Sequence, residues 1–165
     1  MRSLIITATM FTAFFSAGCS RNDHEQIAEG YSRSDRAQIA AAVGAELSKW
    51  DPRLSALPAD VRDAFERRHV TSYDTKTDSR ITSDRSKFDA SCSVEEGYSG
   101  ILFLRARQIG KHWVVWYEFG GRGHSACMLV FTRNGDRGAE VADEVYLNAL
   151  QQSPQKFAAA FREKN

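Results

Sequence analysis

The chain has 165 residues, of which 42% are hydrophobic and 26% charged, values typical of one globular domain. One base, Arg2, and no acid lie in residues 1–18, so the rest of the chain carries 21 bases and 21 acids. Local basic clusters such as 67–69 remain, but no long basic block is present, and we therefore expect no nucleic-acid partner.

The chain begins with a short charged start followed by an apolar run from Leu4 to Phe15. A run of about 12 residues has the length of a signal-peptide h-region. A helix of that length rises only about 18 Å, well short of the roughly 30 Å hydrocarbon core of a membrane. Polar flanks and the terminal position disfavour a buried strand. The pattern predicts a signal peptide over residues 1–18.

Three small residues precede the first cysteine, in the order Ser16, Ala17, Gly18 and Cys19. This stretch resembles the lipobox of bacterial lipoproteins, which has an aliphatic residue, two small residues and a cysteine. The resemblance covers the first 20 residues, and Ser16 stands where the family has the aliphatic residue. It implies a diacylglyceryl thioether on Cys19, cleavage before it and acylation of the new N-terminus. Ordinary cleavage after Gly18, giving a soluble periplasmic or secreted protein, is the alternative.

The resemblance also implies a location in the cell envelope. Two or more acyl chains anchor a protein stably, since each buried CH₂ contributes about 0.8 kcal/mol. By the family's sorting rule, the non-acidic Ser20 indicates the periplasmic face of the outer membrane in a two-membrane bacterium. Residues 19–32 are polar without an apolar stripe, which predicts a lipidated tether with a reach of about 20 Å.

Two helices are predicted at the start of the domain, which we assign to residues 33–165. Ser32 and Asp35 match a capping box and precede apolar residues at helical spacing, which predicts a helix over about 34–50. Pro58 suits a first helical position and predicts a shorter helix that ends near residue 69.

An antiparallel sheet is predicted next. Residues 71–100 are polar, and we expect edge strands around 70–73 and 80–83, because a structureless loop of that length is improbable in a small domain. Three runs rich in aromatic and β-branched residues follow, at 101–109, 112–119 and 125–132. They predict a three-stranded meander with one face in the core and the other partly wet.

Two further helices are predicted after the sheet. The apolar residues Val141, Val145 and Leu150 predict a helix over about 137–151. Pro154 predicts another helix, because apolar residues one turn apart follow it in the sequence. The predicted fold is therefore a single α+β domain, in which N-terminal and C-terminal helices pack on an antiparallel sheet.

Two cysteines remain if Cys19 is lipidated. In an oxidising compartment an even remainder predicts a disulfide between Cys92 and Cys127. Closing that loop would remove roughly 4 kcal/mol of unfolded-chain entropy. Two free, buried cysteines are the alternative.

Known catalytic motifs are missing from the sequence, which has no nucleophile elbow, HExxH, P-loop or dinucleotide-binding fingerprint. We predict no enzyme, catalytic residue, cofactor or metal. The glycine-rich loop at 119–125 is the main candidate binding site, with Arg122 and His124 at its tip. A plain hairpin turn is the alternative for this loop. A second candidate is an exposed patch in which Trp116 lies beside Arg105, Arg107 and Glu118.

The sequence is compatible with three functions. The first is a membrane-anchored, periplasm-facing lipoprotein that binds another protein of the cell envelope, as an inhibitor or immunity-type module. The second is a binder of a small ligand or envelope component with a cystatin-like or NTF2-like arrangement, by architectural analogy. The third is a small enzyme. No residues of the predicted domain match a named inhibitor family.

Overall fold

The computed structural model describes residues 30–70, 81–91, 94–120 and 124–164. The predicted signal peptide, Cys19, Cys92 and Arg122 lie outside these residues. The described chain contains three helices, α1 (Arg33–Glu46), α2 (Ala59–Val70) and α3 (Pro154–Glu163). It contains five strands, β1 (Ile81–Thr82), β2 (Ile101–Ile109), β3 (His112–Phe119), β4 (Ser125–Arg133) and β5 (Ala139–Asn148). None of the described helices has both the length and the apolar character to cross a membrane.

The strands form one mixed sheet in the order β1-β2-β3-β4-β5. Strands β2 to β5 are antiparallel, whereas the two-residue β1 runs parallel to β2. The α+β class is confirmed, and the three predicted central strands are present. The antiparallel meander has one strand more than predicted, because β5 extends it beyond β4. The edge strand expected around 80–83 is β1, and most of the one expected around 70–73 lies outside the described residues.

The helix predicted over about 137–151 is wrong, because this segment forms β5 (Ala139–Asn148). Val141 and Val145 are four residues apart, a spacing that fits the even period of a strand as well as the 3.6 period of a helix. The backbone of β4 needs a partner on this side, and β5 supplies it along the whole strand. Tertiary pairing therefore decides an ambiguous pattern.

Both faces of the sheet are covered, so the prediction of a partly wet face is also wrong. Helices α1 and α3 pack on one face, against Val114, Met128 and Val130. Helix α2 packs on the other face, against Tyr117 and Leu129. Residues 126–132 of β4 are buried without interruption, as expected for a strand between two layers of helices.

Local signals place the helix starts as predicted, whereas α1 ends at Glu46 rather than near residue 50. Ser32 caps α1 through a capping box with Asp35, and a short 3₁₀ turn, Leu47–Lys49, extends the helix. Ser153 caps α3, and Pro154 occupies its first turn. The tight turn between β2 and β3 places Gly110 at φ +57, where a residue without a Cβ is favoured.

Cys127 lies in the middle of β4 as a free, fully buried cysteine. Burial raises the pKa of its thiol. The predicted disulfide gains no support from the structure, because Cys127 has no disulfide partner among the described residues and Cys92 lies outside them.

His69, near the end of α2, is buried against two aromatic rings. Its ring centroid lies 4.9 Å from that of Phe65 and 4.7 Å from that of Tyr117. Its Nε2 atom has no hydrogen-bond partner among the described residues. Burial, and then the charge of Arg68, lower the pKa of His69 to about 4. The folded protein therefore holds this imidazole neutral.

We expect acidification to destabilise the domain through His69. Its ordinary pKa is 6.5, so the unfolded chain binds more protons than the folded chain as the pH falls from 6.5 to about 4. The stabilisation is present above pH 6.5 and is lost over that window, by about 3 kcal/mol. Urea unfolding of the wild type and of His69→Leu across this range measures the difference. An equal loss of stability in both proteins would contradict the assignment.

Candidate functional site

The side chain of Glu118, near the end of β3, is only 2% exposed. Three side chains donate hydrogen bonds to its carboxylate. Arg85 Nη2 and Gln152 Nε2 lie 2.8 Å and 2.6 Å from Oε1. His124 Nε2 lies 2.8 Å from Oε2. We call Glu118, Arg85, Gln152, His124 and the adjoining Trp116 the Glu118 cluster.

The partners of Glu118 come from three separate segments. Arg85 begins the 3₁₀ turn Arg85–Lys87, whose N-cap Asp84 accepts the backbone N–H of Ser86. Gln152 follows the 3₁₀ turn Ala149–Gln151, which continues from β5. His124 directly precedes β4. The cluster therefore joins three connecting segments of the chain to the C-terminal end of β3.

Opposing effects act on the ionisation of Glu118. Burial acts to raise the pKa of its carboxyl, but the hydrogen bonds from Arg85, Gln152 and His124 outweigh burial and hold the pKa below its ordinary value. A buried charge is tolerated when it is paired and fully hydrogen-bonded. Glu118 is therefore a charged centre that holds its neighbours in position.

Trp116 joins the cluster through Gln152. Its indole N–H donates to Gln152 Oε1 at 2.9 Å, and the same amide donates to Glu118, which fixes its orientation. The indole ring also packs edge-to-face on Phe157, with 6.2 Å between centroids. Trp116 is thus half-buried and braced between the sheet and α3.

The loop between β3 and β4 is held at both ends. A Cβ on Gly120 would lie 2.7 Å from the Cα of Ala90, so this close approach requires glycine. The Gly120 N–H donates to the Gly100 carbonyl at 2.9 Å. At the other end, the ring of His124 lies 5.5 Å from that of Phe88. Arg122, predicted at the loop tip, lies outside the described residues.

Arg105 pairs directly with Trp116 across β2 and β3, and Arg107 lies two residues along β2 on the same sheet face. A bulge between Phe103 and Arg105 places both arginines on the face that carries α1. Arg105 donates to the carbonyls of Ser48 and Trp50, at 3.2 and 2.9 Å. Arg107 pairs with Glu46. These three residues of the predicted patch therefore lie next to one another, and residues 46–50 hold the two arginines.

Sequence reasoning missed Arg85 and Gln152. No local motif marks them, and they meet Glu118 only because the chain returns twice to the end of β3. Glu118 itself carried a usable signal, since it is an acid within an otherwise apolar strand. Such a residue is buried only with partners.

The Glu118 cluster contains one carboxylate bound to one imidazole, those of Glu118 and His124. A carboxylate bound to an imidazole nitrogen orients the ring and sets its tautomer. No group of three or more His, Cys, Asp or Glu within the described parts of the chain is placed to hold a metal ion.

No family model matches this chain, and no curated protein or solved structure is significantly similar to it. The function must therefore be argued from the geometry.

Proposed function

We propose that this chain is a lipid-anchored protein on the periplasmic face of the bacterial outer membrane, and that its domain binds another envelope protein as an inhibitor or immunity-type module. The binding surface is the end of the sheet that carries the loop 119–125, which we call the loop end. The lipobox resemblance at Cys19 supports the location. The bracing of the loop by the Glu118 cluster supports the surface.

The anchoring of the residues on either side of the loop, Gly120 and His124, is the observation that carries the proposal. Its two ends are held by the close contact at Gly120 and by the hydrogen bond from His124 to Glu118. The backbone N–H of Ala149 also donates to the His124 carbonyl, at 3.1 Å. Fixing the two ends of a loop before a partner arrives reduces the entropy lost on binding. These contacts therefore suit a recognition loop better than a plain connection.

Exposed apolar side chains surround the loop end. The large apolar side chains with substantial exposure among the described residues are Tyr98, Tyr146 and Leu150, at 42%, 46% and 90%. Tyr146 packs against Phe119, with 6.0 Å between ring centroids. Leu150 follows the residue that bonds the His124 carbonyl, and Tyr98 lies two residues before Gly100. Apolar and aromatic groups of this kind are enriched in the centres of protein interfaces.

A crosslinking experiment tests the proposed surface. A photo-reactive phenylalanine analogue is placed at Arg122 or at Leu150 in cells of the source bacterium. We expect one discrete protein adduct from both positions, identified by mass spectrometry. The matched control is Lys111, which is exposed in the turn at the opposite end of β3. An adduct from Lys111 alone, or none from the loop end, would overturn the proposed surface.

We expect the double variant Arg122→Ala with His124→Ala to bind the crosslinked partner roughly 10- to 30-fold more weakly, the usual effect of removing central interface side chains. Isothermal titration with the purified partner measures the change. Lys111→Ala is the control and should bind as the wild type does. Unchanged affinity in the double variant would remove the loop from the proposal.

The pairing of His124 with Glu118 favours one second candidate, an acid–base site acting on a small substrate. A histidine whose one ring nitrogen is bound to a carboxylate can act as a general base through the other nitrogen. The variant His124→Gln separates the two functions, since a glutamine amide can still donate to Glu118 but cannot act as a general base. Retained partner binding in this variant supports the binding function, whereas loss of a chemical turnover would support the acid–base site.

A further inference from the structure

A groove of about 570 Å³ lies beside β2, away from the loop end. Its volume falls in the range of ligand-binding clefts. The lining residues that matter here are Glu46, Lys49, Asp51, Arg107, Gln108 and Trp113. The groove adjoins the turn at Gly110, about 25 Å along β3 from the loop end. It is therefore a separate surface from the proposed interface.

The groove runs along an open part of the β2 edge. Ala106 exchanges two backbone hydrogen bonds with Asp51, at 2.9 and 3.0 Å, on the side of β2 that faces away from β3. Alternate residues of a strand present their N–H and C=O to the same side, so Gln108 faces this edge as well. Neither backbone group of Gln108 has a partner at this edge among the described residues. An additional strand can therefore pair there.

The charged groups of the groove are partnered unequally. Glu46 accepts from Lys49 through one oxygen, at 3.3 Å, and from Arg107 through the other. Both Asp51 oxygens are taken by Arg53. The two carboxylates are therefore already paired within the protein. The cations have more capacity, because a lysine ammonium has three N–H donors and an arginine guanidinium has five. Lys49, 71% exposed, and Arg107 keep donors for an incoming acceptor.

We propose that this groove binds an extended peptide segment bearing a carboxylate, which pairs with the backbone of Gln108 and continues the contact that Asp51 makes with Ala106. The carboxylate lies against Lys49 and Arg107, and a neighbouring apolar side chain lies on Trp113. Strand addition at a free edge supplies affinity through main-chain hydrogen bonds, and the flanking side chains supply selectivity. This activity is independent of the loop end.

The test uses the full-length protein in detergent and a fluorescein-labelled peptide of alternating threonine and valine. The first form has a free C-terminal carboxylate. The second form ends in a C-terminal amide and has no acid. The third form also ends in an amide but contains one internal glutamate. We expect saturable binding, by fluorescence anisotropy, of the acid forms, and about tenfold weaker binding of the uncharged amide. The two acid forms distinguish a terminal from a side-chain carboxylate. Absence of saturable binding, or equal binding of all three forms, would overturn the proposal.

A proline variant isolates the strand-edge contact. Gln108→Pro removes the N–H that faces the groove and leaves the bonds between β2 and β3 intact, because proline is tolerated on an edge strand. We expect it to weaken the acid peptides about tenfold, while Gln108→Ala, which keeps the N–H, binds them like the wild type. Circular dichroism confirms that both variants fold.

Lys49→Gln provides a second, exposed variant in case the proline variant does not fold. We expect it to weaken the acid peptides about fivefold and to leave the uncharged amide unchanged. The assigned contacts would be refuted if Lys49→Gln and a folded Gln108→Pro variant both bind the acid peptides as tightly as the wild type does. Loss of partner crosslinking at the loop end has no bearing on this result, so the two proposals fail separately.

Discussion

We expect Asp143→Ala to lose about 3–5 kcal/mol of its free energy of unfolding, the usual cost of removing one partner from a buried ion pair. The Asp143 side chain is only 1% exposed. One oxygen accepts from the Tyr31 hydroxyl and from Arg36 Nε, both at 3.0 Å, and the other from Lys164 Nζ at 2.9 Å. The carboxylate joins β5 to α1 and to the end of α3.

The destabilisation arises from the charge that is left behind. The Arg36 side chain is 9% exposed, so it would stay buried beside a missing carboxylate. Urea unfolding followed by circular dichroism measures the loss. Glu140→Ala, an exposed acid on the same strand, is the matched control and should stay within about 0.5 kcal/mol of the wild type.

A double variant tests the explanation. Asp143→Leu combined with Arg36→Met removes both charges together and should recover much of the stability lost by Asp143→Ala. If Asp143→Ala loses no more unfolding free energy than Glu140→Ala does, the buried ion pair contributes little to stability. A double variant less stable than Asp143→Ala would instead point to packing as the source of the loss.

We expect Cys19→Ser to release the protein from the membrane fraction and to abolish acyl labelling. The thiol is the proposed attachment point of the diacylglyceryl group, and without it no acyl chains hold the domain at the bilayer. Fractionation of cells grown with labelled palmitate measures both effects. Cys127→Ala is the matched thiol control and should keep its label, because the Cys127 thiol is buried within the sheet.

The outcomes of this experiment separate two origins of membrane attachment. Label that persists in Cys19→Ser would contradict lipidation at this position. Membrane association that persists without label would show that the apolar segment from Leu4 to Phe15, rather than a lipid, holds the protein. Soluble wild-type protein would favour the alternative of ordinary cleavage after Gly18.

The helices were predictable because their signals are local. The capping box at Ser32, the proline at position 58 and the pair Ser153-Pro154 act on the first turn of each helix and need no distant partner. The β5 segment lacked such a signal. Its apolar residues fit two periods, and pairing with β4 decided between them. Glycine at position 110 marked the turn between β2 and β3, since a tight turn favours a residue without a Cβ.

The candidate site was predictable only in part. His124 was identified as a binding candidate because it belongs to a glycine-rich loop, and Trp116 because it belongs to a predicted exposed patch on the sheet. The contact between Gly120 and Ala90 joins residues 30 positions apart, and no sequence pattern encodes such an approach. The groove at Gln108 was not predicted, because it depends on how residues 49–51 pass over the edge of β2.

The sequence by itself determined the α+β class, the starts of the three helices, the three central strands and the expectation of a signal peptide and lipid anchor. Each rests on residues within a few positions of one another. Only the tertiary structure decided that β5 is a strand, that both sheet faces are covered and that Arg85, Gln152 and His124 converge on Glu118. Those outcomes depend on burial and hydrogen bonding between distant segments, because a buried charge or an unpaired strand edge is stabilised only by partners that folding supplies.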